Sequence, residues 1–277
     1  MDSPLYSAEA LRTSLRTVRV IDARASRAAY DAAHVEGAVY ADLNVDLSGA
    51  RAPGADPAHG GRHPLPAPAV FAETLGAWGI TPDTPVVVYD DKAGANAAAR
   101  TWWMLRSAGH AKAYVLDGGY AAAVAANVPM SSAVPSIPRA PAYPFTAWKL
   151  PTATIDQVAA RAASPEWTVL DVRSPERYRG ETEPLDPVAG RIPGAKNVFY
   201  ESNLAADGRF RSPEEIRAIY AELLGGLPAG QLVVSCGSGV TACHTLLALE
   251  AAGLRGASLY VGSWSEWCRS GRPQGKG

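Results

Sequence analysis

The sequence predicts an α/β protein made of two copies of one domain, each a mostly parallel sheet flanked by helices. Three observations predict it. Short β-branched runs alternate with helical patterns along the whole chain, as strand–crossover–strand units do. The same series of segments occurs twice, about 145 to 157 residues apart, a spacing of domains rather than of solenoid repeats. The length of 277 residues, 47% of them hydrophobic, is long for one domain and comfortable for two.

The elements follow in order. Val18-Arg19-Val20-Ile21-Asp22-Ala23-Arg24 reads as a strand and returns as Trp167-Thr168-Val169-Leu170-Asp171-Val172-Arg173. Tyr30 to Tyr40 (YDAAHVEGAVY) is echoed by Tyr178 with Gly190 to Tyr200 (GRIPGAKNVFY), where His34 and Arg191 are expected to fix the turn into the next strand. The strand Thr84 to Asp90 (TPVVVYD) parallels Gly230 to Cys236 (GQLVVSC), and helical segments 97–108 and 241–252 follow them. Tyr114 to Tyr120 (YVLDGGY) matches Ser258 to Trp264 (SLYVGSW). Between the copies lies a stretch rich in Pro, Ser and Ala, which reads as an extended, semi-rigid linker. The expected division is therefore 1–127 for a first domain, 128–150 for the linker and 151–277 for a second, with Thr154 capping the helix that opens it. Trp102, Trp103, Trp264 and Trp267 read as core or domain-interface aromatics.

Composition narrows the function. A net charge of −1 gives no basic footprint for nucleic acid or membrane. Met1 to Tyr6 lacks a charged n-region and an apolar h-region, so no secretory leader is expected. No apolar run approaches the 18 residues of a membrane span. Three cysteines, an odd and small number, fit a reducing compartment better than a disulfide scaffold. The expectation is a cytoplasmic protein, a monomer, acting on small molecules without metal or cofactor.

Chemistry concentrates in Leu232-Val233-Val234-Ser235-Cys236-Gly237-Ser238-Gly239-Val240-Thr241: an apolar strand, a cysteine, a glycine-bearing loop and a helix start. A cysteine at a strand end is ordinarily a small buried hydrophobe. Here Gly237 and Gly239 let the chain curl around the sulfur, and loop N–H groups and the helix start favour the thiolate. Cys236 is therefore read as a nucleophile. The first copy has Asp90 at this position; a carboxylate cannot do thiol chemistry, so residues 1–127 are read as non-catalytic. Cys243 falls inside the following helix and reads as core. The Cys236-x6-Cys243 spacing fits neither a redox nor a zinc motif, and Cys268 reads as structural.

These segments, in this order and twice over, resemble the two-domain rhodanese-like sulfurtransferases. The resemblance rests on Asp22-Ala23-Arg24, Leu116-Asp117-Gly118-Gly119, Asp171-Val172-Arg173, Arg177-Tyr178-Arg179-Gly180, Cys236-Gly-Ser-Gly-Val-Thr and Gly262-Ser263-Trp264. It implies tandem rhodanese-like domains and ping-pong transfer of sulfane sulfur through a Cys236 persulfide, held by loop N–H donors, to cyanide or a thiol. The loop Cys-Gly-Ser-Gly-Val-Thr resembles that of members preferring 3-mercaptopyruvate, whereas thiosulfate enzymes usually carry two cations after the cysteine. Within the resemblance Cys236 and Ser238 are catalytic, and Arg179, Gly237, Gly239, Val240, Thr241 and His63 bind substrate. The second arginine such enzymes tend to carry appears here as Leu185. A Ser–His–Asp relay maps onto Ser238, His63 and Asn44, with Asp42 or Asp46 as substitutes for the acid. Thiosulfate as the main donor and a non-enzymatic sulfur carrier are the alternatives. A phosphatase would need an arginine where Ala242 stands.

Overall fold

The computed structural model describes residues 3–277. They form two compact units. One comprises the chain up to Gly49 with Pro66–Lys149 and Asp207–Arg209; the other comprises Ala50–Leu65, Leu150–Ala206 and Phe210–Gly277. Ala50–Leu65 thus follows a strand of the first unit in the chain and groups with the second.

The first unit runs β1 (Leu5–Tyr6), α1 (Ala8–Ser14), β2 (Arg19–Asp22), α2 (Arg27–Ala32), β3 (His34–Val35), β4 (Val39–Tyr40), α3 (Pro68–Ala77), β5 (Val86–Tyr89), α4 (Ala97–Ser107), β6 (Ala113–Leu116), α5 (Gly119–Ala125) and β7 (Met130–Ser131). Its main sheet has the order β1-β6-β5-β2-β4, with every pair parallel. β3 and β7 pair antiparallel beside it. Central β5 is buried at all four residues, as a continuous apolar run must be when helices cover both faces of a parallel sheet. The stretch read as a linker is extended and tied to this unit. Its Tyr143 N–H donates to the Ala72 carbonyl at 3.0 Å, and Lys149 N–H to that of Ser107 at 2.8 Å. Phe145 and Trp148 join Phe71 in an aromatic cluster.

The second unit runs α6 (Ile155–Ala162), β8 (Thr168–Asp171), α7 (Pro175–Arg179), β9 (Lys196–Asn197), α8 (Pro213–Leu224), β10 (Leu232–Ser235), α9 (Ala242–Ala251), β11 (Ser258–Leu259) and α10 (Ser263–Trp267). The sheet order is β11-β10-β8-β9, again parallel. A parallel bridge from Thr152 to Leu259 stands where β1 pairs β6 in the first unit. Thr154 caps α6 in a reciprocal capping box with Gln157, satisfying two otherwise unpaired N–H groups. The duplication extends to register: Asp22 faces Tyr89 across β2·β5, and Asp171 faces Ser235 across β8·β10. Asp90 and Cys236 each follow those paired residues, at the carboxyl ends of their strands, where open α/β sheets bind ligands.

α9 is buried continuously from Ala242 to Leu249, so its sequence is apolar all round rather than on one stripe. Thr245 and His244 are the exceptions in polarity, and of the two it is His244 that can take a charge. Its ring stacks on Phe210 at 4.6 Å and meets Tyr200 edge-on at 5.4 Å, and neither ring nitrogen has a hydrogen-bond partner among the described residues. Complete burial pushes its pKa down to about 3 from 6.5. The native state therefore keeps His244 neutral while the unfolded chain protonates it below pH 6.5, so stability falls as pH drops through the window from 6.5 to 3. Replacing His244 with Phe should remove about 1.4 kcal/mol of that loss per pH unit. Urea unfolding of both proteins at pH 7, 6, 5 and 4 checks this, the expectation being a gap that widens towards acid.

Candidate active site

β10 delivers Cys236 to the end of the sheet, and α9 begins six residues later. Cys236 is 3% exposed. On one side, Cys236 N–H donates to Ser263 Oγ at 3.0 Å. On the other, its carbonyl accepts from Trp264 N–H at 3.0 Å, and the Gly237 carbonyl accepts from Ser265 N–H at 2.9 Å. The start of α10 thus clamps both peptide groups at the cysteine. Gly239 has φ +72°, and a Cβ there would stand 2.4 Å from the Val261 carbonyl oxygen; the loop closes only with glycine at this position. Among the described residues, the N–H groups of Gly237, Ser238, Val240 and Thr241 donate to no protein acceptor.

The first unit shows what this turn does with an anion. Asp90 Oδ1 accepts from Lys92 and Gly94 N–H at 2.9 and 2.8 Å, and Oδ2 from Asn96 and Ala98 N–H, both at 3.1 Å. Both oxygens act purely as acceptors, as those of an ionised carboxylate do. Burial raises the Asp90 pKa while these four N–H bonds oppose the rise. A strand end, a curled loop and a helix start form a ring of main-chain donors around the first side chain of the loop. In the second unit that side chain is a thiol.

Cations line the mouth of the second loop. The position of a Cβ on Gly237 would lie 3.2 Å from Arg177 Nη2 and 3.6 Å from Arg62 Nη2. Arg177 is fixed by Glu183, with Nη2 at 2.7 Å from Oε1. Glu183 also accepts from Arg173 at 3.2 Å. Arg173 forks onto Asp171 and caps the Gly190 carbonyl at 2.7 Å, repeating the Arg24–Asp22 device of the first unit. Burial opposes the charge on Arg173, yet Asp171, Glu183 and the Cys236 sulfur together raise its pKa. Arg62 pairs with Asp186, which also accepts from Arg269 at 2.7 Å. Burial alone would raise the Asp186 pKa, but the bonds from Arg62 and Arg269 outweigh it and lower it.

Arg179 is not part of this group. Its guanidinium bonds Glu181 at 2.6 Å and is 42% exposed. Residues two apart on a helix point about 200° apart, so α7 can turn Arg177 or Arg179 to the loop, but not both. Arg179, expected to bind substrate, is thus turned to Glu181, and the guanidinium beside the loop is that of Arg177. Arg62 also escaped sequence reading, because 175 positions (237 − 62) separate it from Gly237 and nothing local marks the contact. The visible signal was its place beside His63 in Gly-Arg-His-Pro.

Ala50–Leu65 is stapled to the α10 turn. Gly60 N–H donates to Glu266 Oε1 at 2.9 Å, and Arg62 N–H to Ser265 Oγ at 3.1 Å. Gly61, at φ +76°, passes so close that a Cβ would stand 2.4 Å from the Gly262 carbonyl oxygen. This docking brings His63 Nδ1 within 2.8 Å of Ser238 Oγ. Asp42 and Asp46, the substitutes for the relay acid, are engaged in their own turn. Asp42 Oδ1 accepts from Asn44 N–H at 2.7 Å, and Asp46 Oδ2 from Asp42 N–H at 2.8 Å. Cys243 is buried with Sγ 3.3 Å from the Gly239 carbonyl, and Cys268 is buried beside Ser265. All three cysteines are unbridged. No helix among the described residues is long and apolar enough to cross a membrane.

The chain matches the rhodanese-like domain at residues 7–126 and again at 154–270. A Pseudomonas aeruginosa protein named as a probable 3-mercaptopyruvate sulfurtransferase is 45% identical over 86% of this chain and 82% of its own. The thiosulfate sulfurtransferase of Cricetulus griseus is 34% identical over 98% of this chain and 93% of its own. The solved 3-mercaptopyruvate sulfurtransferase from Leishmania major superposes with a TM-score of 0.84 at 35% identity, covering 98% of this chain and 75% of that one. The tandem architecture, the shared register and these matches lead to one conclusion: the chain belongs to the rhodanese-like domain family and carries that domain twice.

Proposed function

We propose that this protein is a sulfurtransferase that takes sulfur from 3-mercaptopyruvate onto Cys236 and passes it to a thiol or to cyanide. The Cys236 thiolate attacks the donor sulfur. The C–S bond breaks with its electron pair going to the methylene carbon, so the remainder leaves as the enolate of pyruvate. That enolate takes one proton and becomes pyruvate, while Cys236 holds the transferred sulfur as a persulfide. A thiolate or cyanide then attacks the outer sulfur, and the Cys236 thiolate is regenerated.

The observation that carries the choice of donor is the 2.8 Å contact between His63 Nδ1 and Ser238 Oγ. A departing enolate needs a hydrogen bond at its oxygen and a proton at carbon, both of which a hydroxyl–imidazole pair can supply. Sulfite, the group thiosulfate would release, leaves as a stable anion and needs neither. Arg177 and Arg62 supply the charge for a keto-acid carboxylate, and the N–H groups of Gly237, Ser238, Val240 and Thr241 supply the ring for the persulfide. Thiosulfate is the second reading, favoured by the same arginine pair, which would also suit a dianion. The three unbridged cysteines support a reducing, cytoplasmic setting, and sedimentation tests the monomer.

The deciding measurement is kcat/KM for both donors with cyanide, read as thiocyanate released. 3-Mercaptopyruvate should be the better donor, and changing His63 to Ala should slow it about 100-fold while thiosulfate turnover moves by only a few-fold. Equal losses on both donors would remove the proton-transfer role. Cys236→Ser should show no gain of one sulfur atom by mass spectrometry and no thiocyanate. Stoichiometric loading of wild-type Cys236 without turnover would mark a carrier instead.

The two arginines of α7 give a sharper contrast. Arg177→Ala should cost about 1.5–3 kcal/mol of transition-state binding, whereas Arg179→Ala should leave kcat/KM within about two-fold, as exposed ion pairs do. Steady-state kinetics on the two variants side by side decides it, and the reverse order would restore position 179 to the site.

A further inference from the structure

Ser263 is completely buried and has φ +51°, one of three non-glycine residues with positive φ among those described. Such a conformation is unfavourable for any side chain bearing a Cβ. The equivalent residue of the first unit is Gly119, whose φ of +59° carries no such penalty. At this position the strain belongs to the copy with the thiol; the copy with the carboxylate carries a positive φ of its own at Ala93 (+52°), three residues after Asp90, where the second copy has Gly239.

What the hydroxyl does accounts for its retention. Ser263 Oγ accepts the Cys236 N–H at 3.0 Å and donates to the Tyr260 carbonyl at 2.8 Å. With the Trp264 N–H on the Cys236 carbonyl at 3.0 Å, both peptide planes at Cys236 are held and its Cα–Cβ direction is fixed. Glycine in the same backbone conformation would leave the Cys236 N–H without that acceptor.

We infer that Ser263 is a positioning residue for the nucleophile: its strained backbone presents a hydroxyl that locks the Cys236 peptide, so that the sulfur stands at the focus of the loop N–H groups. This rests on the Cys236 persulfide reading above. The geometry separates the residue's effect on stability from its effect on rate. Ser263→Gly relieves the backbone strain while deleting the hydroxyl; Ser263→Ala deletes the hydroxyl and keeps the strain.

The test compares wild type, Ser263→Gly and Ser263→Ala by three readouts: thermal melting, single-turnover persulfide formation, and the pH profile of Cys236 alkylation by iodoacetamide. The Gly variant is expected to melt no lower than wild type, with the Ala variant below it. Both should form persulfide about tenfold more slowly at saturating donor with KM little changed, and the alkylation midpoint should move up by about one pH unit, as expected of a thiolate less well held by donors. Wild-type rates and midpoint in the Gly variant overturn the inference, as does a loss of rate that merely follows a loss of folded protein. If wild type forms no persulfide from either donor, the functional reading fails instead. The alkylation profiles then decide Ser263 alone, an unchanged midpoint overturning it.

Discussion

The site depends on main-chain N–H groups converging at the end of a buried strand. They cannot be exchanged by substitution; only the residue at the focus and the residues that shape the loop can vary. In the first unit the focus holds a carboxylate that satisfies four donors, and the ring becomes an internal anchor. In the second it holds Cys236, and donors of the loop remain to hold a sulfur anion. One backbone device thus surrounds a carboxylate in one copy and a thiol in the other, and Asp90 against Cys236 is the point of divergence.

Around this ring the second unit accumulates features that stability alone does not favour. Arg173, Glu183, Asp171, Arg62 and Asp186 put several charges in poorly exposed positions, where desolvation offsets much of the attraction. Ser263 holds a conformation that glycine takes without strain in the other copy. Each of these charges faces one of opposite sign, Arg177 against Glu183 and Arg62 against Asp186, so their guanidiniums stand by the loop in fixed directions. Groups already oriented in the resting protein need no reorganisation when a carboxylate donor arrives.

The interleaving of the units follows the same logic. Ala50–Leu65 departs from the unit its neighbours build and brings Arg62 and His63 to the loop of the other. Its attachment uses Asp186, Ser265 and Glu266, and the close passage of Gly61 against Gly262. A guanidinium and an imidazole are thereby brought to a loop, Gly-Ser-Gly-Val-Thr, that contains neither.

The sequence by itself determined the duplication, the parallel sheets and the nucleophile, because each is written in local terms. Repeated strands set register, an apolar run followed by Cys-Gly-Ser-Gly makes a strand and a curled loop, and Thr154 caps its own helix. The loop's role in gathering donors was legible too, since glycines permit only a few backbone paths. What the tertiary structure decided was which arginines meet that loop and where His63 goes. Arg177 and Arg179 are indistinguishable as letters two places apart, and only the docking of α7 turns one inward and the other to Glu181. Arg62 and His63 lie on an extended segment whose destination depends on contacts more than a hundred residues away. Those are choices of packing, made by complementarity between surfaces that exist only once the sheets have formed.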